Sequence, residues 1–432
     1  MKYYSTNNSE YKVSFRQAAM EGLAKDEGLF MPEFIPDCSS HIEGIETLSI
    51  QDIAFIIASK FMQEDLSSSQ IEDVINSSIT FPAPLINLGN NKFILELFHG
   101  PTLAFKDFGA SFMARTIENF VKSNDKELNI LVATSGDTGS AVANGFYDVE
   151  GINVIILYPS KKVSYIQEKQ LTTLGKNIYS LEVEGTFDDC QKLVKKAFLN
   201  KFINKNISLS SANSINIARL IPQIFYYFHG YAQLENKDSV VYSVPSGNFG
   251  NLTAGILSSL MGLPIKKFIA STNINDTVPK FLLTGDYIPK PSVETISNAM
   301  DVGNPSNIDR IMNIFNDISS LSKILDSWSF TDKQTEQQIK KTLEQNDYIL
   351  DPHSAVGLLG LNKFFNKREQ NIQGICLATA HPAKFLDIIE SIIKKEIKIP
   401  VRLQKSMDKE KKSIKIKNDF SEFSDYLLTN FK

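Results

Sequence analysis

The stretch Ser239-Val240-Val241-Tyr242-Ser243-Val244-Pro245-Ser246-Gly247-Asn248-Phe249-Gly250-Asn251, followed by the apolar-periodic run from Leu252 to Met261, decides the fold class. Residues 239–246 read as a buried strand, Gly247 to Asn251 as a glycine turn, and the run after it as a helix. A similar unit stands earlier in the chain. Ile130-Leu131-Val132-Ala133-Thr134-Ser135 is followed by Gly136-Asp137-Thr138-Gly139 and by a helix-like segment from Ser140 to Tyr147. Outward from these two units, strand signals recur at 92–97, 154–157, 178–183, 267–270 and 374–378, alternating with helical stretches. That alternation predicts an α/β fold with parallel sheets. Before it, residues 1 to about 80 carry two helix-like stretches, Phe15 to Leu23 and Ile50 to Met62, with few strand signals, and no internal repeat is visible. The expected organisation is a helical N-terminal segment, 1–85, packed on a catalytic region, 86–432, of two α/β lobes, the smaller spanning about 105–215.

Both turns carry chemistry beyond their geometry. Glycines in the 247–251 turn let backbone N–H groups converge on phosphate oxygens, and the dipole of the following helix adds positive potential there. Ser246 and Asn248 are placed to add side-chain bonds, although any α/β protein also needs glycine between strand and helix. In the 134–139 turn, hydroxyls and N–H groups suit a carboxylate, while Asp137 is equally placed to cap its helix.

A third signal is Lys106, in His99-Gly100-Pro101-Thr102-Leu103-Ala104-Phe105-Lys106-Asp107-Phe108-Gly109-Ala110. A lysine boxed by apolar and aromatic neighbours at a helix start is poorly hydrated. Desolvation disfavours the ammonium, leaving a neutral, nucleophilic amine of the kind that attacks an aldehyde. The alternative is a lysine whose stem packs on Phe105 or Phe108 while its head stays wet. Desolvated lysine, phosphate cradle and carboxylate turn together describe a pyridoxal phosphate site for an amino-acid substrate.

Composition narrows the class further. The 432 residues, 42% hydrophobic and 22% charged, have the balance of a globular protein with two or three core-forming units. A net charge of −4 offers no footprint for nucleic acid or an anionic membrane. Cys38, Cys190 and Cys376 are scattered without a C-x-x-C, which argues against a disulfide framework and against a metal site. The N-terminus lacks a basic-then-apolar signal, and no apolar stretch approaches about eighteen residues, so the cytoplasm is the expected compartment. His41, His229 and His353 have no partner at ligand spacing, and His99 and His381 read as shaping the pocket. Residues 407–418 carry five lysines, as a polybasic patch or, given the alternation with Ile414 and Ile416, a solvated edge strand.

With these motifs in order, the chain resembles the threonine synthases of the longer bacterial and fungal type, within the tryptophan-synthase-β-like (fold type II) group of pyridoxal phosphate enzymes. The resemblance runs nearly end to end. It takes in Val13-Ser14-Phe15, Gly28-Leu29-Phe30, Phe81-Pro82-Ala83-Pro84, the Lys106 box, Ala133 to Gly139, Ile156 to Pro159 and Gln167-Glu168-Lys169. It continues through Ser210 to Asn216, Val244 to Gly250, Asn275 to Pro279, Ser297 to Val302 and Thr379 to Phe385. The resemblance implies that Lys106 forms the Schiff base and acts as base, with the cofactor phosphate on Ser246, Gly247, Asn248, Phe249, Gly250 and Asn251. It places Thr379 on the pyridine nitrogen, where a neutral hydroxyl cannot hold that nitrogen protonated. Asp137 stands where short-chain relatives carry an asparagine facing the 3′-oxygen, and its detailed role is open.

For the substrate, the resemblance implies O-phospho-L-homoserine, which loses phosphate and gains water to give L-threonine. Ser135 and Thr138 suit its carboxylate, and Asn213 and Arg219, with Asn216 nearby, its phosphate. Without the family, Asn213 reads as a helix cap with Arg219 solvated two turns on. Two other readings stand beside this one: a related lyase that stops after elimination and releases 2-oxobutyrate, and a retired family member serving as a binding scaffold. No nucleic-acid, membrane or obligate protein partner is expected, and the oligomeric state, a monomer included, is left open.

Overall fold

The computed structural model describes residues 1–122, 127–367 and 371–432. A six-stranded sheet runs in the order β12-β11-β10-β13-β5-β4, built from β4 (Leu85–Gly89), β5 (Lys92–Glu96), β10 (Val240–Pro245), β11 (Ile265–Thr272), β12 (Leu325–Ser329) and β13 (Gln373–Ala378). Its pairings are parallel except for the β4/β5 hairpin. A five-stranded, all-parallel sheet runs β14-β8-β7-β6-β9, from β6 (Leu128–Ala133), β7 (Ile152–Pro159), β8 (Ile178–Glu184), β9 (Ser208–Ser211) and β14 (Ile414–Lys417). Every residue of β6, β10 and β13 is buried. Helices cover both faces of a parallel sheet, so its central strands read as unbroken apolar runs.

The N-terminal segment is helical, as the sequence reading expects, and adds short strands which that reading does not mark. Besides helices Phe15–Glu21, Ile50–Met62 and Ser68–Ser78 it holds an antiparallel sheet, β2-β1-β3, of β1 (Tyr3–Ser5), β2 (Asn8–Val13) and β3 (Phe30–Pro32). Two of these strands have three residues, too few to show a period of two, and β2 is polar and mostly exposed. At the other end of the chain, β14 is the edge strand that the lysine and isoleucine alternation predicted, and it joins the sheet otherwise built from residues 128–211. Ile416 is buried while Lys415 and Lys417 face out. Lys411, in the same lysine-rich run, bonds Glu168 at 2.6 Å and Glu182 at 2.7 Å, fastening this segment to the smaller sheet.

The carboxyl ends of β6, β10 and β13 lead directly into residues 134–138, 246–251 and 379, which places all three segments at one rim, where open α/β sheets bind ligands. The Pro352–Phe365 helix packs across β10, β11 and β13, and it approaches them through glycine. A Cβ added at Gly357 would lie 2.8 Å from Cys376 Sγ and 2.9 Å from Pro245 Cγ, both at the centre of the sheet. Its carbonyl also accepts a 2.6 Å bond from Ser243 Oγ. Gly357→Val should therefore destabilise the chain by about 2 kcal/mol through overpacking. Urea denaturation measures this; an unchanged midpoint means the helix has no need of such close approach.

Candidate active site

Between the two sheets lies a cavity of about 470 Å³, lined by Lys106, Ser135, Asp137, Thr138, Asn213, Arg219, the whole 246–251 segment and Thr379. Asn216 is the exception among the sequence-derived residues. It is fully buried, its amide donates to Ala19 O and Ser211 O, both at 2.9 Å, and its oxygen caps the Ile217–Leu220 helix through Ala218 N–H. Both its amide protons and its oxygen are engaged with the backbone, and it does not line the cavity.

Lys106 opens the Lys106–Val121 helix, with its side chain 16% exposed, and it lines the cavity. Burial pushes its pKa down to about 8, helped by the Lys384 and Arg219 charges and opposed by Asp137. Its Nζ stands 4.0 Å from Asp137 Oδ2, close enough for attraction but not a hydrogen bond. Asp137 begins the Asp137–Gly145 helix and is itself buried. Burial alone would raise its pKa, but the Lys384 and Lys106 charges and bonds from Lys384 and Gln167 hold it well below the ordinary carboxylate range. Lys384 Nζ reaches Asp137 Oδ1 at 2.8 Å and Gln167 Nε2 reaches the same oxygen at 3.0 Å.

The 246–251 cradle is held open from three sides. Asn248 Nδ2 donates to Ser214 Oγ at 2.7 Å, its Oδ1 accepts from Ser306 N–H at 2.6 Å, and its carbonyl accepts from Asn307 Nδ2 at 3.0 Å. Tyr226 and Tyr227 both donate to Asn251 Oδ1, at 2.7 and 2.8 Å, which turns the amide so that its Nδ2 has no partner. The Gly250–Leu260 helix starts here, and its first intrahelical acceptor, Phe249 O, is taken by the N–H and the hydroxyl of Thr253. Earlier N–H groups of that turn are left for a ligand. Neither Gly247 nor Gly250 has positive φ; the left-handed residue is Phe249, at 62°. Gly247 is needed for space instead, since a Cβ there would lie 2.8 Å from Met300 Cα and 2.9 Å from Ala299 O.

Three groups escaped the sequence reading. His353 lines the cavity; its Nδ1 meets Asp351 Oδ2 at 2.7 Å and its Nε2 accepts from Ala299 N–H at 3.1 Å, so it supports the loop that packs on Gly247. Arg310, with no exposed surface, binds the carbonyls of Phe30, Ser214 and Ile215 and the Asn307 side chain, tying β3 and the 214–215 turn to the back of the cradle. Lys384 sits on the Pro382–Phe385 turn. An i, i+2 Asp-x-His and the residues at 306–310 are signals only after folding brings them together. His99 and His381 do not line the cavity: His99 bonds Glu96 at 2.7 Å, and His381 caps its own turn through Ala383 N–H.

Family models match the whole length in three pieces: a threonine synthase N terminus over residues 2–79, a pyridoxal-phosphate dependent enzyme over 79–377, and a threonine synthase C-terminal region over 354–427. The chain belongs to the threonine synthase family. It is 44% identical to threonine synthase of Haemophilus influenzae over 99% of this chain and 100% of that one. It superposes on the crystal structure of threonine synthase from Escherichia coli with a TM-score of 0.93, at 41% identity, over 99% and 100% of the two chains. The PLP-bound threonine synthase from Brucella melitensis superposes with a TM-score of 0.92, at 32% identity, over the full length of both. The chain is therefore a pyridoxal phosphate-dependent lyase with threonine synthase activity, of fold type II.

This family's cofactor fits the residues present. A desolvated lysine amine, an unpartnered buried Asn251 Nδ2 and free N–H groups at a helix start surround one cavity. Among the described residues no helix is long and apolar enough to cross a membrane, and no cluster of ligands could hold a metal ion. Two outcomes follow. Gly247→Val should give folded protein that keeps little pyridoxal phosphate after gel filtration, read by visible absorbance; full retention would remove the cradle from cofactor binding. Because the neutral fraction of Lys106 falls about tenfold per pH unit well below its pKa, cofactor capture should quicken about tenfold from pH 6 to 7 and about fivefold from pH 7 to 8. A flat stopped-flow profile over that range would mean that the attacking amine is not desolvated.

Proposed function

We propose that the substrate is O-phospho-L-homoserine, converted with water into L-threonine and inorganic phosphate. The observation that carries this reading is Arg219, a buried guanidinium that lines the same cavity as Lys106 and has no ion pair among the described residues. One of its nitrogens, Nε, lacks any partner, while NH1 is spent on Ala212 O. A buried cation in that state calls for an anionic ligand, and a phosphate leaving from Cγ supplies one.

Pyridoxal phosphate, when bound, supplies an aldehyde for amine condensation and a ring that accepts electrons from the substrate's Cα. The residues around it divide the remaining work. In this reading the 247–251 segment and Ser246 would hold the cofactor phosphate, and Thr379 and Asp137 would hold its ring. Ser135 and Thr138, at the start of the Asp137–Gly145 helix, receive the substrate carboxylate. Lys106, as a neutral amine, takes the proton from Cα and later returns it. Arg219 offsets the charge of the departing phosphate and Asn213 hydrogen-bonds it as a proton leaves Cβ and phosphate leaves Cγ; Cγ then gains a proton and water adds its hydroxyl at Cβ. Asn213 is already fixed for this, since its Nδ2 donates to Ala133 O at 2.9 Å. The same reading has the enzyme working in the cytoplasm on a small molecule, without an obligate protein partner.

The direct test is phosphate release coupled to amino-acid identification with O-phospho-L-homoserine: L-threonine should match phosphate nearly mole for mole. Dominant 2-oxobutyrate would make the protein a lyase that stops at elimination. The division between the two phosphate sites has its own outcome. Loss of a buried charged partner should lower kcat/KM of Arg219→Ala by roughly a hundredfold while cofactor content stays near that of the parent. Cofactor loss with unimpaired phosphohomoserine binding would assign Arg219 to the cofactor instead.

A further inference from the structure

Lys384 has no exposed side-chain surface, does not line the cavity, and spends its charge on two acceptors: Asp137 Oδ1 at 2.8 Å and Thr102 O at 2.9 Å. Burying an ammonium is costly unless it is paired, so the position of this lysine demands a reason. Gln167 Nε2 adds a second donor to the same oxygen, at 3.0 Å. Asp137 Oδ1 is thereby saturated, and Oδ2 is the oxygen that faces Lys106, 4.0 Å away. One carboxylate thus stands between two lysines and is bonded to only one of them. The bond also crosses the molecule, from the turn after β13 of the larger sheet to a helix packed on the smaller one.

We propose that Lys384 is a positioning residue that grips Asp137 by one oxygen and takes up its charge, so that Lys106 gives up its proton more readily than it would as the ammonium half of a bonded Lys106–Asp137 pair. Without the Lys384 charge, a slight rotation would close the 4.0 Å gap, and the carboxylate would hold Lys106 protonated. The other charges near Lys106 act in the same direction as Lys384: Arg219, from the Ile217–Leu220 helix, also disfavours the ammonium. Asp107, on the same helix as Lys106, is occupied by Thr102 N–H at 2.9 Å and Thr102 Oγ1 at 2.6 Å.

The inference rests on Lys106 being the amine that takes the cofactor, and the assay reports that separately. Full-length protein freed of cofactor is mixed with pyridoxal phosphate across pH 6 to 10, reduced with borohydride, digested and mapped by mass spectrometry. In Lys384→Met the midpoint for labelling the Lys106 peptide should move up by about one pH unit, a roughly tenfold loss of capture at pH 7, and Lys384→Arg should restore it. Should Lys384→Met fail to fold, Asp137→Asn and the double variant Asp137→Asn/Lys384→Met carry the test. Asp137→Asn should lower the midpoint, and adding Lys384→Met should raise it again by removing the nearby cation. A midpoint that does not respond to Lys384 in either background overturns the proposal. Label on a lysine other than Lys106 overturns the assignment of the amine and not the role of Lys384.

Discussion

A lysine amine and an aspartate carboxylate held 4.0 Å apart, near but unbonded, set the terms for the rest of the site. Apolar surroundings take water from Lys106 and lower its proton affinity; a carboxylate in contact would restore it. The fold keeps these tendencies in balance through backbone it cannot easily move. Lys106 is fixed at a helix start, Asp137 at another, and the strand β13 delivers both Thr379 and the turn that carries Lys384. An amine poised a little above neutrality suits the proposed base, which must pick up a proton and give it back.

The second constraint is that the neutral donors that meet a dianion must be held in place by the protein itself. Asn251 and Asn248 are turned by the protein itself, through the two tyrosine hydroxyls on one and through Ser214, Ser306 and Asn307 on the other. Those partners sit on well-packed elements: the rings of Tyr226 and Tyr227 pack tilted against each other and pass contacts on to Phe108, Tyr242 and Phe268. Arg310 extends the support to the N-terminal sheet by way of Phe30 O. The N-terminal segment is in this way part of the cradle's scaffold, although it supplies no residue to the cavity lining.

Much of this was legible in the sequence because parallel sheets bury whole strands and end them at glycine turns. The runs at 130–135, 240–245 and 374–378 are apolar enough to read directly, and the residues that follow each one do line the cavity. What was not legible is of two kinds. β9, Ser208–Ser211, and β12, Leu325–Ser329, are strands by virtue of their neighbours' hydrogen bonds and carry no apolar run of their own. The supporting polar residues, His353, Asn307, Arg310 and Lys384, take meaning from partners dozens of residues away. Asn216 shows the opposite case: its place beside Asn213 suggests the substrate, and its three bonds in the structure go to the backbone around a helix start.

The central claim is that Lys106 alone moves the proton at Cα, and hydrogen exchange at that carbon tests it most directly. Lys106→Ala protein, supplied with pyridoxal phosphate and O-phospho-L-homoserine in deuterium oxide, should bind both, seen as visible absorbance that survives gel filtration. By proton NMR it should leave the Cα hydrogen unexchanged, with restoration by a small added primary amine. Exchange at close to the parent rate in Lys106→Ala without added amine would contradict the account, since the proton would then have another acceptor.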